Sequence, residues 1–370
     1  MTEPRSESLF YRDGRSDKVY HLDMSRDPGG WTVAARYGRR NKPLKTDIKG
    51  AGLPAEKATG VFDGLLAKKI AKGYSPMESG QAFGGTVLEA RSTGFRPQLF
   101  NEITDAEARS LGGDWLVQEK HDGERRGAAW NGERAVFSNR RGLEVSVDPA
   151  VSGAFERLGR MSGVPFALDC EDMGDHLVVF DVLEYFMLDE RTFRERASIL
   201  ENVRKSISYH GLSEFLRVDV PTPADVFFDR FADRLREGGA EGYVIRHADS
   251  VNTPGRPASG GDALKVKYWA EATCRVAQGR EGRASIGLEL RDGKDGPWVP
   301  VGNVTVPKGA PMPRIGELVE VRYLYAFPGG SLFQPVLKGP RTDLTEEAAR
   351  MAQLKIRRAD PTEEPGAPTP

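Results

Sequence analysis

The residues best suited to chemistry by type and order run Lys120-His121-Asp122-Gly123-Glu124-Arg125. An apolar strand leads in and Asp-Gly turns the chain, which sets a lysine at a strand end with an arginine close by. The same string alone is also an exposed hairpin with Asp-Gly at its tip. Other segments carry matching groups. Leu168-Asp169-Cys170-Glu171 ends an apolar strand in carboxylates, and Phe180-Asp181-Val182-Leu183 follows. Glu241-Gly242 opens another strand. Leu264-Lys265-Val266-Lys267 sets two lysines on one face, because strand side chains repeat every two residues. Each piece by itself is ordinary: a Lys-x-Lys strand suits a solvated face, and Glu-Gly suits a turn.

The elements that position these groups fall into modules. Residues 9–41 read as short strands broken at Asp13-Gly14 and Asp27-Pro28-Gly29-Gly30. From Pro54 the period changes: Ala58, Val61, Phe62, Leu65, Leu66 and Ile70 form a helical stripe that Gly73 ends. Residues 1–80 therefore form a small sheet with one helix. Gly and Ser mark a linker from Ser75, assigned to residues 81–91. A body over 92–270 mixes strands at 115–119, 134–138, 166–170 and 176–182 with helices at 192–206 and 224–237. No βαβ alternation with a Gly-rich phosphate loop appears, which argues against Rossmann and P-loop folds. Short strands return from Ala272 to Pro340, broken by Asp-Gly and Pro-Gly pairs, and predict a small barrel over 271–350. Residues 351–370 read as a flexible tail. The fold class expected is α+β.

Composition narrows the function. The 370 residues are 39% hydrophobic and 29% charged, enough for two or three real cores and too apolar for a disordered chain. A net charge of −1 excludes a uniformly basic coat. Residues 1–80 nevertheless hold 15 lysines and arginines against 10 acids, while 81–270 carry a net −7. A basic module on an acidic body predicts contact with a polyanion. Two cysteines, Cys170 and Cys274, cannot build a disulfide framework or a four-cysteine zinc site. The polar start lacks an apolar signal core, and no apolar run approaches a bilayer span of ~20 residues. A cytoplasmic protein with no membrane partner is expected.

Taken together and in this order, the segments resemble the covalent nucleotidyltransferases, most closely the ATP-dependent DNA ligases. Lys120 to Arg125 matches that family's Lys-x-Asp-Gly-x-Arg motif I. Ser138-Asn139-Arg140-Arg141-Gly142 is similar to motif Ia, Leu168 to Glu171 to motif III and Phe180 to Leu183 to motif IIIa. Glu241-Gly242 fits motif IV and Lys265-Val266-Lys267 motif V. Gln334 to Asp343 is similar to motif VI, with Leu344 where the family usually has lysine. The likeness covers residues 92–345. It implies an adenylation domain of antiparallel sheets with helices, followed by an OB-fold barrel. The N-terminal module resembles the WGR domain of some poly(ADP-ribose) polymerases, with Tyr37-Gly38-Arg39 in place of Trp-Gly-Arg.

The resemblance implies that the Lys120 amine attacks the α-phosphorus of ATP to give lysyl-AMP. That step needs a neutral amine, and Lys265, Lys267 and bound Mg2+ are expected to disfavour an ammonium and stabilise the phosphorane-like charge. Arg125 and Glu171 are implied to hold the ribose, Phe180 to stack on adenine and Gln118 to read its edge. Gln118 is equally a solvated strand residue, and Tyr37 equally a strand-packing aromatic. Glu241 and Glu171 are the implied Mg2+ ligands, and Arg341 reaches the nucleotide only if the barrel closes over it. Arg140 and Arg141, with Tyr37 and Arg39 of the N-terminal module, are the implied DNA contacts. The partner implied is nicked or broken double-stranded DNA, joined at 5′-phosphate and 3′-hydroxyl ends in repair or replication. A protein partner for residues 1–80 stands as the alternative there. RNA ligation or capping is the alternative within nucleotidyl transfer; a non-catalytic DNA-end-binding protein is the alternative in another class. An NAD-dependent ligase is disfavoured because the cysteines cannot supply its zinc site.

Overall fold

The computed structural model describes residues 2–13, 16–80, 83–185, 191–277 and 284–357. The tail expected over 351–370 is packed, not flexible, over its first residues: Met351 and Leu354 lie on the last module's core and the Arg357 amide donates to Ala326, while its part beyond 357 lies outside the described residues.

The first module is an antiparallel sheet of β1 (Arg5–Asp13), β2 (Ser16–Asp27), β3 (Gly30–Arg39) and β4 (Lys45–Leu53) in sequential order, crossed by α1 (Ala55–Ile70). Alternation on β2 and β3 turns Tyr20, Leu22, Met24, Trp31, Val33 and Ala35 inward, where they meet Ala58 and Phe62 of α1. A small sheet with one helix is therefore present. The stretch expected to be a linker is tied down on both sides. Phe10 and Ser75 exchange backbone hydrogen bonds, the Arg12 amide donates to Gly80, and Ser75 and Phe83 are buried.

The body contains two five-stranded sheets. Its elements in chain order are β5 (Asn101–Glu102), α2 (Asp105–Arg109), β6 (Trp115–Lys120), β7 (Glu124–Trp130), β8 (Ala135–Asn139), α3 (Pro149–Ser162), β9 (Phe166–Asp172), β10 (Leu177–Tyr185), α4 (Phe193–Tyr209), β11 (Leu216–Val218), β12 (Thr222–Pro223), α5 (Ala224–Arg230), α6 (Ala232–Glu237), β13 (Gly242–His247) and β14 (Ala263–Lys267). One sheet runs β11-β10-β9-β7-β8 and the other β12-β6-β13-β14-β5. Pairing is antiparallel except for the parallel β10–β11 and β14–β5 pairs, so the expected antiparallel sheets are mixed at two places. The larger core lies under the first sheet, where α3 and α4 bring Val151, Phe155, Leu158 and Leu200 against Leu168, Cys170 and Val179. The helix expected over 224–237 is two short helices, because Phe231 between them leaves helical geometry at φ −120°.

The last module holds β15 (Ala270–Ala277), β16 (Ser285–Arg291), β17 (Trp298–Thr305), β18 (Leu318–Tyr323), β19 (Tyr325–Ala326), β20 (Leu332–Phe333) and β21 (Val336–Pro340). Five of them form a sheet in the order β17-β16-β15-β18-β21 around a separate apolar core, and its outer strands β17 and β21 lie against each other. Among the described residues no helix is long and apolar enough to cross a membrane.

Candidate active site

The segment Lys120 to Arg125 is not a hairpin. Lys120 ends β6 in one body sheet and Arg125 belongs to β7 in the other, so the turn crosses the mouth of the cleft between the sheets. Gly123 is required at that crossing, because a Cβ there would stand 2.4 Å from the Asp172 carbonyl oxygen.

Strand register explains which groups converge. In the second sheet Gly242 of β13 lies opposite Lys120 on one side and Lys267 on the other. The preceding residue, Glu241, therefore reaches both amines. One carboxylate oxygen accepts from Lys120 Nζ and the other stands 2.8 Å from Lys267 Nζ. The Glu241 side chain is only 2% exposed. Gly242 has φ +154°, and a Cβ would fall 2.0 Å from the Val266 carbonyl oxygen, so the close approach demands glycine. In the first sheet Arg125 lies opposite Glu171, and its guanidinium makes a bidentate pair with Asp169 at 2.6 Å on each arm. Phe180 is the extra residue of a bulge between Val179 and Asp181. Such a bulge re-aims a side chain, and here the ring lines the cleft.

The cleft is open to solvent and, its mouth included, spans about 700 Å³ of empty space. It brings together Lys120, Arg125, Arg140, Glu171, Phe180 and Lys265 from the sequence expectation, and adds Phe100, Glu119, His121 and Arg256. Five lysines and arginines against two glutamates make a site for polyanions. The Arg125 guanidinium stands 4.8 Å from the Phe180 ring centroid and 5.7 Å from that of Phe100. Burial pushes the Glu171 carboxyl up, opposed by Lys120 and Arg125. Burial likewise lowers the Lys265 amine, and Arg256 and Lys267 add to that. For His121 burial acts downward, but the Asp219 carboxylate at 3.3 Å, with Glu119 and Glu171, outweighs it and raises the imidazole.

Several expected site residues lie elsewhere. Gln118 does not face the cleft. Its amide nitrogen donates to the carbonyls of Phe180 and Asp219, and its oxygen accepts from Arg246 at 2.6 Å. Both amide hydrogens and the Arg246 contact hold it against the cleft floor rather than in the cleft. Arg246 and Arg196 both pair with the buried Asp181, and this network backs the cleft floor. Arg341 stays in the last module, paired with Glu320 and Asp343. Tyr37 stacks on Tyr20 with centroids 5.8 Å apart, half-buried in the N-terminal sheet, and Arg39 lies exposed on the same strand. Arg141 lies beside the cleft rather than in it. The neighbours expected for Lys120 were cations; the structure gives its amine a carboxylate as well.

Mg2+ was expected at Glu171 and Glu241. Among the described residues no three His, Cys, Asp or Glu side chains group tightly enough to hold a metal by themselves. Mg2+ suits one or two carboxylates completed by substrate phosphates and water. Glu171 in the cleft fits that donor set directly. Glu241 fits it only as its oxygens come free of the lysines.

The last module meets this site. The Tyr325 hydroxyl donates to Asp122, and burial and that bond raise it further. Lys267 Nζ donates to Gln334 at 3.0 Å, and Lys355 Nζ donates to the Tyr268 carbonyl at 3.0 Å.

No protein-family model and no curated protein matches the chain. Solved structures do. Pmar-Lig_PreS3 superposes at a TM-score of 0.55 with 19% identity, over 67% of this chain and 68% of that one. Pmar-Lig_Pre. gives 0.53 and 18% over the same shares. The chain shares their fold. A structure from work on Lig E DNA ligases overlaps more loosely, at 0.49 and 15% identity over 67% of this chain and 99% of that one.

Proposed function

We propose that the protein is an ATP-dependent DNA ligase that seals 5′-phosphate and 3′-hydroxyl ends through lysyl-AMP. The observation that carries this reading is the Lys120 amine at the mouth of a basic cleft, held by Glu241 and faced by Lys265, Arg125, Glu171 and Phe180. The motif resemblance and the fold shared with the two Pmar-Lig structures support it.

In this reading Phe180 offers its ring to adenine, with Arg125 and Glu171 toward the ribose. A carboxylate accepts from a hydroxyl, and a guanidinium held by Asp169 cannot swing away. Lys265 and Lys267 place positive charge at the α-phosphate. Glu241 holds the Lys120 ammonium and takes part in removing its proton. The freed amine attacks phosphorus, the bond to the β-phosphate breaks and pyrophosphate leaves. Glu171, and Glu241 once its oxygens come free of the lysines, would hold Mg2+, which would supply charge neutralisation at the phosphates. AMP then passes from Lys120 to the DNA 5′-phosphate, and attack by the 3′-hydroxyl releases it. Arg140, at the cleft edge, and Arg141 meet the DNA backbone. Residues 1–80 act as a WGR-like DNA-binding module through Tyr37 and Arg39, and the last module acts as an OB-fold cover that carries Arg341. The site of action is cytoplasmic.

Labelled ATP, Mg2+ and no DNA, followed by denaturing electrophoresis, test the first step. The α-phosphate label should stay on the protein and the γ-phosphate label should not. Absence of α-label on the native chain removes the reading. Sealing assays on nicked DNA and on RNA then separate DNA ligation from RNA ligation.

A further inference from the structure

A second basic cavity adjoins the cleft, at the seam between the N-terminal sheet and the body. Tyr11 and Lys72 line one wall; Arg96, Arg140 and Arg141 line the other. Four lysines and arginines line it and no carboxylate does. Leu99 and Arg140 belong to both cavities, so the seam runs into the cleft that holds Lys120.

The two walls are fixed relative to each other. The Arg96 guanidinium donates to the Arg12 carbonyl, and that of Arg141 to the Ala71 carbonyl, each at 3.4 Å. The Phe10–Ser75 backbone pair lies alongside. Lys72 follows the end of α1 and is exposed, as is Arg140 at the far side of the seam. Four cations lining one cavity with no carboxylate among the lining residues make a positive potential that favours a polyanion. A row of cations with an aromatic ring beside it suits a nucleic-acid strand, phosphates on the cations and a base on the ring.

We propose that this seam holds one strand of the DNA being joined, its phosphates on Lys72, Arg96 and Arg141 and its end passing Arg140 into the cleft. The inference rests on the ligase reading. It differs from binding by the N-terminal module alone, because each domain supplies only one wall.

The test uses the full chain and a fluorescent nicked duplex with a 5′-phosphate, with binding followed by anisotropy over a KCl series. Lys72→Ala and Arg96→Ala each remove a cation from a different wall. Lys57→Ala removes an equally exposed cation at the far end of α1. Each wall variant should lower the slope of log affinity on log salt by about 0.9, the value for one lost phosphate contact. Lys57→Ala should keep the native slope. Native slopes in both wall variants overturn the seam, and so does an equal loss in Lys57→Ala, which marks diffuse charge. ATP labelling of the native chain is measured in parallel without DNA. Labelling with unchanged slopes sinks the seam and leaves the ligase reading standing. Changed slopes without labelling sink the ligase reading and show a strand groove that serves some other reaction.

Discussion

Glu241 hydrogen-bonds the Lys120 amine from the strand next to it, with a carboxylate that is almost wholly buried. The partnership is set by the backbone, since Gly242 lies in ladder register with Lys120. A carboxylate so placed holds the amine at one spot beside the cleft. Glu241→Gln keeps the shape and loses the charge. It should slow lysyl-AMP formation by about 10²-fold, the usual scale for a lost proton-transfer partner. Lys120→Ala should abolish it. Labelling time courses read both, and a native rate in Glu241→Gln would remove that residue from the chemistry.

Asp181 stands between two arginines, Arg196 and Arg246, all three buried. Removing the one acid leaves two buried guanidiniums facing each other. Asp181→Ala should cost ~3–5 kcal/mol of stability, measured by urea denaturation. Nucleotide binding should weaken with it, because Arg246 also positions Gln118 and the Phe180 carbonyl.

The His121 imidazole is raised because Asp219, helped by Glu119 and Glu171, outweighs burial. The native state then holds the proton more tightly than the unfolded chain does. That stabilisation is fully present below the unfolded value of about 6.5 and fades as pH rises through the higher native value. His121→Gln should therefore lose on the order of 1 kcal/mol at pH 5.5 and almost nothing at pH 9. Equal losses at both values would show that charge is not the cause.

The Tyr325 hydroxyl joins the last module to Asp122, two residues from Lys120. Tyr325→Phe leaves that carboxylate without its donor. With about 1 kcal/mol lost, the share of molecules with the module closed should fall about fivefold relative to the open form. Energy transfer between dyes on the body and on the last module measures this. An unchanged distance distribution would mean that Lys267–Gln334 and Lys355–Tyr268 hold the module alone.

The sequence made the strand-borne chemistry legible because period-two alternation assigns a face as soon as a strand is recognised. Lys265 and Lys267 were placed on one face that way, whereas Glu171 and Arg125 came from the motif resemblance. It failed where direction depends on a bulge or a partner. Gln118 sits two residues before Lys120, yet the arginine that occupies its amide comes from position 246. Phe100 and Arg256 join the cleft from segments with no motif of their own. Helix α3 was readable and missed: Asp148 caps it, Pro149 opens it, apolar residues recur at 151, 154, 155 and 158, and Gly163 closes it at φ +69°. Strand β4 carries no comparable signal, since Lys45 to Leu53 has little apolar alternation and no buried residue.

The connection after α1 has a mechanical consequence. Ser75 and Gly80 bond back to Phe10 and Arg12, Arg91 accepts from the Glu144 amide of the body, and Arg96 and Arg141 donate to the Arg12 and Ala71 carbonyls, so the first module is held against the body instead of swinging on a cord. The span from its sheet to the Lys120 amine is thus a fixed length of the molecule. In the ligase reading, a duplex gripped at one end of that span is gauged at the other, and a break out of step with it meets Lys120 at the wrong nucleotide.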